Sequence, residues 1–292
     1  MEFFPAAATA SADASASHKL FKGDTLIVPA VSYANLGQLT VDLLVNTLLQ
    51  RGRECDAPIE KVGHLFSTAV PPIAGAAAYG AQDRNALCVN LEVCIGIDLI
   101  PSVFRIPSRR VTLVQQRTDV TKGKARVFAN EFVDWASASG FASLVVIAGA
   151  DDMLRHDPNM LRRPLNTITF ADDETKLANA AFLDACGAVK TAEPTAWNEL
   201  RGVGIAPLVH ARCVSLSSNS LGFVAFLLSC AEGDNVPDAM AMASHVLHYL
   251  EIKLPALPAP PSSLSLPPPP PFVFPPSWSH LFGRGPDASL FL

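Results

Sequence analysis

Residues 25–49, TLIVPAVSYANLGQLTVDLLVNTLL, read as a buried strand, a short loop and an amphipathic helix in immediate succession. Thr25, Leu26, Ile27 and Val28 are β-branched or apolar without alternation, as in a parallel-sheet strand covered on both faces. Pro29 closes the strand because it brings no N–H to the ladder. Asn35 stands at the helix N-cap, and Gln38 three residues on completes a capping-box-like pair, a cap worth about 1 kcal/mol. Leu36, Leu39, Leu43 and Leu48, with Leu44 and Thr47 between them, form the stripe that lies on a sheet, and Arg51 and Gly52 end the helix. Phosphate-binding folds share this layout, with an anion at the helix N-terminus. Between Pro29 and Gln38 the only glycine is Gly37, with neither a Lys-Ser/Thr pair nor a G-x-G-x-x-G series, so the loop is read as structural.

Outward from this unit, residues 59–66, 87–93 and 111–116 give further strands. Residues 71–80 form a small-residue loop too poor in bulk for a core and are read as exposed. Residues 124–139 form a second helix, with Phe128, Phe132 and Trp135 on one stripe and Gly140 past its end. The strand SLVVIA follows at once at residues 143–148. Repetition of the helix-and-buried-strand unit predicts an α/β fold, helices packed on a mainly parallel central sheet in a single domain. Residues 172–183 suggest another helix, and Gly202 and Gly204 mark a tight bend. Residues 218–230 are apolar through Leu221, Phe223, Val224, Phe226, Leu227 and Leu228, and their length reads as a buried helix rather than a strand. A final helix carries Val236, Met240, Ala243, Leu247 and Leu250 on its stripe; Asn235 is its N-cap, Pro237 fits the first turn, and Asp238 favours the dipole.

Composition sets limits on function. A chain of 292 residues with 49% hydrophobic and 17% charged residues has ample material for a core, and a net charge of -5 leaves no basic footprint for nucleic acid or anionic lipid. The six cysteines include no C-x-x-C pair and no histidines at metal-ligand spacing, and read as reduced, buried thiols of the cytoplasm or nucleus. His245 and His248 lack a carboxylate or third ligand, so no metal is expected. The most apolar run, residues 221–231, is about half the roughly twenty residues that span a bilayer, so no membrane helix is expected. Residues 1–22 read as a disordered Ala- and Ser-rich extension without a secretory signal, residues 23–254 as the domain, and residues 255–292 as a Pro-rich, polyproline II tether.

Gly149, Asp151, Asp152, Arg155, His156 and Asp157 fall just beyond a strand's C-terminal end, where open α/β sheets bind ligands. His156 alone titrates near neutrality, and no nucleophile accompanies it. The cluster is read as a polar, solvated loop; the rival reading is a hydrolase- or nucleoside-phosphorylase-like enzyme using residues 151–157.

Three motifs carry a resemblance. Pro29, Ala30, Val31, Ser32, Asn35, Gly37, Gln38, Leu39, Asp42 and Leu43 resemble the opening signature of the proteasome assembly chaperone 2 family. Glu232, Gly233, Asp234, Asn235, Val236, Pro237 and Asp238 resemble its acidic loop before the last helix, and Ile106, Pro107, Ser108 and Arg109 its central motif. The resemblance covers residues 23–254 and implies a non-catalytic chaperone without cofactors, in the cytoplasm and nucleus. It would pair with proteasome assembly chaperone 1 and hold proteasome α subunits while the α-ring forms, with no nucleic-acid or membrane partner. It also implies structural or partner-binding roles for Pro29, Ser32, Asn35, Gly37, Gln38, Asp42, Glu232, Gly233, Asp234, Asn235, Pro237 and Asp238. Residues 94–103 depart from the family as an insertion, either a longer hairpin or an artefact of the gene structure, which puts the strand register there in question. Proteins that dock on the proteasome's outer ring end in hydrophobic-tyrosine-any residue, which Leu290, Phe291 and Leu292 match except for the hydroxyl. These three are either a docking segment or an apolar end without a partner.

Overall fold

The computed structural model describes residues 1–5, 20–55, 57–71, 78–79, 102–106, 110–153, 165–170, 189–190, 197–216, 221–256 and 271–280. Among these the chain runs β1 (Glu2–Pro5), β2 (Thr25–Pro29), α1 (Leu36–Arg51), β3 (Glu60–Phe66), β4 (Ser102–Ile106), β5 (Val111–Gln115), α2 (Ala125–Ala138), β6 (Ser143–Asp151), β7 (Asn166–Phe170), β8 (Val189–Lys190), α3 (Ala206–Ser215), β9 (Gly222–Cys230) and α4 (Val236–Tyr249). One sheet joins the strands in the order β1-β3-β4-β5-β2-β6-β9-β7-β8. Its centre, β5-β2-β6-β9, is parallel throughout. Antiparallel pairings add β4, β3 and β1 on one flank and β7 on the other, with β8 parallel to β7.

Helices cover both faces of this sheet, which is why the central strands have no polar side. Leu26 and Val28 of β2, Leu144 and Val146 of β6, and Phe223, Ala225 and Leu227 of β9 point to one face, where α2 and α3 bring Phe128, Phe132, Val209 and Cys213. The alternate residues Ile27, Val145, Ile147, Val224, Phe226 and Leu228 point to the other face, against α1 and α4. Residues 218–230 are therefore not a helix: from Gly222 onward they form β9, whose eight following residues are all buried. A strand buried on both sides loses the alternation that distinguishes it from a buried helix segment.

α1 is buried almost all round, with the sheet on one side, α4 on another, and the backbone of Pro255, Pro271 and Val273 on Asn46, Thr47 and Arg51. On α4 the buried residues are Ala239, Met242, Ala243, Val246 and Leu247, a stripe rotated from the expected one so that Val236, Met240 and Leu250 are only half-buried.

Short parts of both ends pack on the domain. Residues 2–5, placed outside the fold on composition, pair antiparallel with β3, and Phe3 packs edge-on against buried Phe21 at 5.1 Å. Residues 271–280 return to the domain, with Phe272 6% exposed. In the loop expected to be exposed, Tyr79 is buried. Ser102 and Val103, the end of the expected insertion, are strand residues paired with Gln115 and Val114. The strand expected at 87–93, the helix at 172–183, the rest of the insertion and residues 107–109 lie outside the described residues.

His210 of α3 is buried with its ring 5.1 Å from Phe223, and its Nδ1 accepts a 3.1 Å bond from the Trp197 indole N–H. Burial holds its pKa below the ordinary histidine value, as it does for His64 and His245. A depressed pKa leaves full stability above the unfolded value of about 6.5 and removes it as pH falls through the folded value. Protonation also converts the Nδ1 acceptor into a donor facing a donor. The unfolding midpoint in denaturant should therefore fall between pH 7 and pH 5. His210→Phe, though less stable at pH 7, should show a shallower fall over that range.

Candidate interaction site at the carboxyl edge of the sheet

The loops that leave β2, β6 and β9 emerge at the same edge, because parallel strands place their carboxyl ends together. This brings the segment around residues 29–38 beside residues 230–235, almost two hundred positions away in sequence. Cys230 Sγ lies 4.0 Å from the Tyr33 carbonyl oxygen. The Tyr33 phenol is held above its ordinary pKa, first by desolvation and then by the Asp151 and Glu232 carboxylates, with the Glu232 backbone N–H partly offsetting them. Tyr33 is therefore neutral throughout the physiological range.

Backbone geometry accounts for much of the first motif. Gly37 is mandatory: a Cβ there would sit 2.5 Å from the Ile147 carbonyl oxygen and 2.8 Å from that of Ala30. Ser32 Oγ accepts the Gly149 N–H at 2.9 Å, tying the loop to β6. Ala34 and Asn35 both adopt the left-handed region, with φ 56° and 53°. That conformation removes the expected capping box, since an N-cap side chain reaches the first-turn N–H groups from an extended backbone. Asn35 makes no cap bond and is exposed. Gln38 instead laces α1 to the exit of β5: its Nε2 donates to Arg117 O at 3.0 Å, and its own carbonyl accepts Gln115 Nε2 at 2.9 Å. Asp42 accepts bonds from the Tyr79 hydroxyl and Arg117 Nη1, each at 2.8 Å, and the Arg117 guanidinium lies over the Tyr79 ring. Asp42 thus holds Tyr79 and Arg117, the latter just past the carboxyl end of β5, against α1.

In the second motif the capping role moves by one residue. Asp234 Oδ1 accepts the Val236 N–H at 3.0 Å. Asn235, buried, is turned the other way, its Nδ2 donating to Ala231 O at 2.8 Å and Asp238 Oδ2 at 3.2 Å. Pro237 occupies the first turn of α4 as expected. Glu232, Gly233 and Asp234 are exposed.

A third segment, which sequence reasoning treated only as a bend, completes the site. Gly202 O accepts the Tyr33 N–H at 2.7 Å, and Arg201 O accepts the Asp151 N–H at 2.9 Å. Gly202 has φ 75°, and a Cβ on it would stand 2.8 Å from Tyr33 Cβ. The glycine pair was the available signal, but nothing in one sequence says which loop a bend will touch.

Of the polar cluster after β6, Asp151 and Asp152 lie at this edge, with Asp151 Oδ1 accepting the Met153 N–H at 2.9 Å. Arg155, His156 and Asp157 lie outside the described residues, as do Leu290, Phe291 and Leu292. Among the described residues no group of three or more His, Cys, Asp or Glu is placed to hold a metal ion, and no helix is long and apolar enough to cross a membrane. Cys213 and Cys230 are buried free thiols, the former pushed up to about 12 by desolvation, while Cys55 is half-buried.

The profile of the PAC2 family matches residues 26–266. This chain belongs to the PAC2 family. The proteasome assembly chaperone 2 of Bos taurus is 25% identical over 286 residues, covering 92% of this chain and 95% of that protein. That coverage reaches past the residues 23–254 taken from the motifs. Among solved structures, a Thermoplasma acidophilum protein of unknown function has a TM-score of 0.55 at 14% identity, over 85% of this chain and 84% of that one. Pyrococcus furiosus PbaA, an archaeal homologue of proteasome-assembly chaperone, has a TM-score of 0.51 at 11% identity, over 80% and 84%. The PAC2 family fold is thus shared at identities where only architecture is comparable.

The close approach at Gly202 has a measurable cost. Gly202→Ala should destabilise this PAC2-family chain by about 1–3 kcal/mol, from left-handed backbone strain and contact with Tyr33, read as a lower denaturant midpoint at unchanged slope.

Proposed function

We propose that this chain is a non-catalytic chaperone of proteasome assembly, active in the cytoplasm and nucleus. In this reading it pairs with proteasome assembly chaperone 1 and holds α subunits while the α-ring forms. The observation that carries it is near-full-length similarity to proteins named proteasome assembly chaperone 2, at 92% coverage of this chain. Two of the three stretches that carry the resemblance lie beside each other at one edge, where Asn35, Glu232, Gly233 and Asp234 are exposed, and this supports the reading. A protein partner needs one standard interface, on the order of 1,600 Å² in total, and no reacting groups.

Affinity capture of the tagged full-length chain from its own cell lysate, followed by mass spectrometry, tests this. The expected result is a second assembly chaperone together with α-type subunits, without the mature proteolytic complex. A soluble, folded chain that captures neither would overturn the reading.

Leu290, Phe291 and Leu292 are proposed as a second contact, with Leu290 and Phe291 filling an apolar groove on the α-ring. Their tethering to the folded domain makes the second contact intramolecular, so replacing Leu290 and Phe291 by Ser should lower α-subunit recovery by about tenfold or more while the partner chaperone still comes down.

A further inference from the structure

The outer side of α1 is lined by polar residues that are nonetheless buried: Asn46, Thr47 and Arg51 are 1%, 1% and 6% exposed. Each is occupied by backbone of the chain's own Pro-rich region. Asn46 Nδ2 donates to Val273 O at 2.9 Å, and the Val273 N–H donates to Thr47 Oγ1 at 3.0 Å. Arg51 Nη1 donates to Pro271 O at 2.6 Å, while its Nη2 donates to Pro255 O at 2.7 Å. Between these bonds Phe272 enters the same apolar cluster as Leu247 and Ile252. Trp278 packs against that cluster and stacks on Phe274 at 5.8 Å, and Ser277 Oγ donates to Ala78 O at 3.1 Å.

Such an arrangement reads main chain with fixed side-chain partners and one side chain with a pocket, as peptide-binding sites do. A permanent core would cover α1 with apolar residues, whereas these three side chains can be hydrated when uncovered. Beside Phe272 a pocket of about 560 Å³, open to solvent, is walled by Leu247, His248, Ile252, Leu254, Pro271 and Phe272.

We propose that the outer face of α1 and α4 is a binding site for an extended, proline-flanked segment with a central aromatic residue, filled in cis by residues 271–273, and that this clasp fixes where the downstream chain leaves the domain. The consequence for reach rests on the docking role proposed above for Leu290, Phe291 and Leu292. Leu290 follows His280 by ten residues, a span of at most about 35 Å, whereas it follows Ala256 by 34, about 120 Å. The clasp therefore confines the segment to a small volume and opens a much longer tether when released.

Hydrogen exchange by mass spectrometry on the full chain tests the clasp directly, comparing the natural sequence with Phe272→Asp and, from the α1 side, Asn46→Ala. The expected result is that residues 271–280 exchange at least about tenfold more slowly than in a free peptide, and that both variants abolish this while β6 and β9 keep their protection. Equal exchange of residues 271–280 in all three proteins would overturn the clasp. So would loss of protection in β6 and β9 in the variants, since the segment would then be inseparable from the core. α-Subunit capture is read separately: its absence from the natural sequence with protection intact removes the docking consequence alone.

Discussion

Backbone contact between the start of α1 and the central strands is the constraint on which the rest of the structure depends. α1 lies against β2, β5 and β6 on one side and α4 on the other. The approach is so close that Gly37 has no room for a Cβ beside the Ile147 and Ala30 carbonyl oxygens. The chain must therefore turn from β2 into α1 within residues 30–35, and it does so with two consecutive left-handed residues, Ala34 and Asn35. Non-glycine residues in that region cost about 1–2 kcal/mol each. Fixed neighbours offset the strain: Ser32 Oγ holds Gly149 N–H, and Gly202 O holds Tyr33 N–H. Three loops from distant parts of the chain thus meet at the carboxyl edge, held by bonds to one another beside the seated start of α1.

How much of this was legible depends on whether the signal was local. β2, α1, α2 and β6 follow from short-range pattern, since an unalternating β-branched run and a capped leucine stripe need no knowledge of neighbours. β9 was misread because its periodicity vanishes when both faces are buried, and its nine residues suit either element. The capping box failed at Asn35 for a tertiary reason: the turn geometry needed to seat α1 overrides the cap, and Gln38 is drawn instead to Arg117 and Gln115. At the ends composition gave no sign of two particular contacts. Phe3 and Phe272 are single aromatic residues in Ala-, Ser- and Pro-rich surroundings, yet one packs against buried Phe21 and the other is itself buried. Asn46, Thr47 and Arg51 carried the complementary signal, polar residues on a helix buried on every side, which only the structure reveals.

The residues that carry the family resemblance include a buried set and an exposed set. Pro29, Gly37, Asp42 and Asn235 are buried and serve the fold itself, by ending a strand, permitting contact, pinning Tyr79 and Arg117, or bracing the entry to α4. Asn35, Glu232, Gly233, Asp234 and Pro237 are exposed on the edge that the first group shapes. A sequence motif mixes the two because both depend on one local backbone path. Substitution in the buried group acts on the whole domain, whereas in the exposed group it changes what the edge presents.

That separation also gives Tyr33 its place. It is the residue through which the three loops touch: its N–H meets Gly202, its carbonyl lies by Cys230, and its phenol feels Asp151 and Glu232. Its phenol, neutral at physiological pH in any case, is pushed further up by desolvation first and the two carboxylates second, so it contributes a hydroxyl and an apolar ring rather than a charge. Such a residue suits an interface, where one end is packed and the other polar. Glu232 and Asp234 are exposed at this edge, and charges of this kind at an interface rim would govern the rate and selectivity of encounter more than the strength of binding. The edge therefore has a half-buried tyrosine at its centre and exposed acidic residues beside it, on a loop whose path is set by the same backbone approach at Gly37 that seats α1.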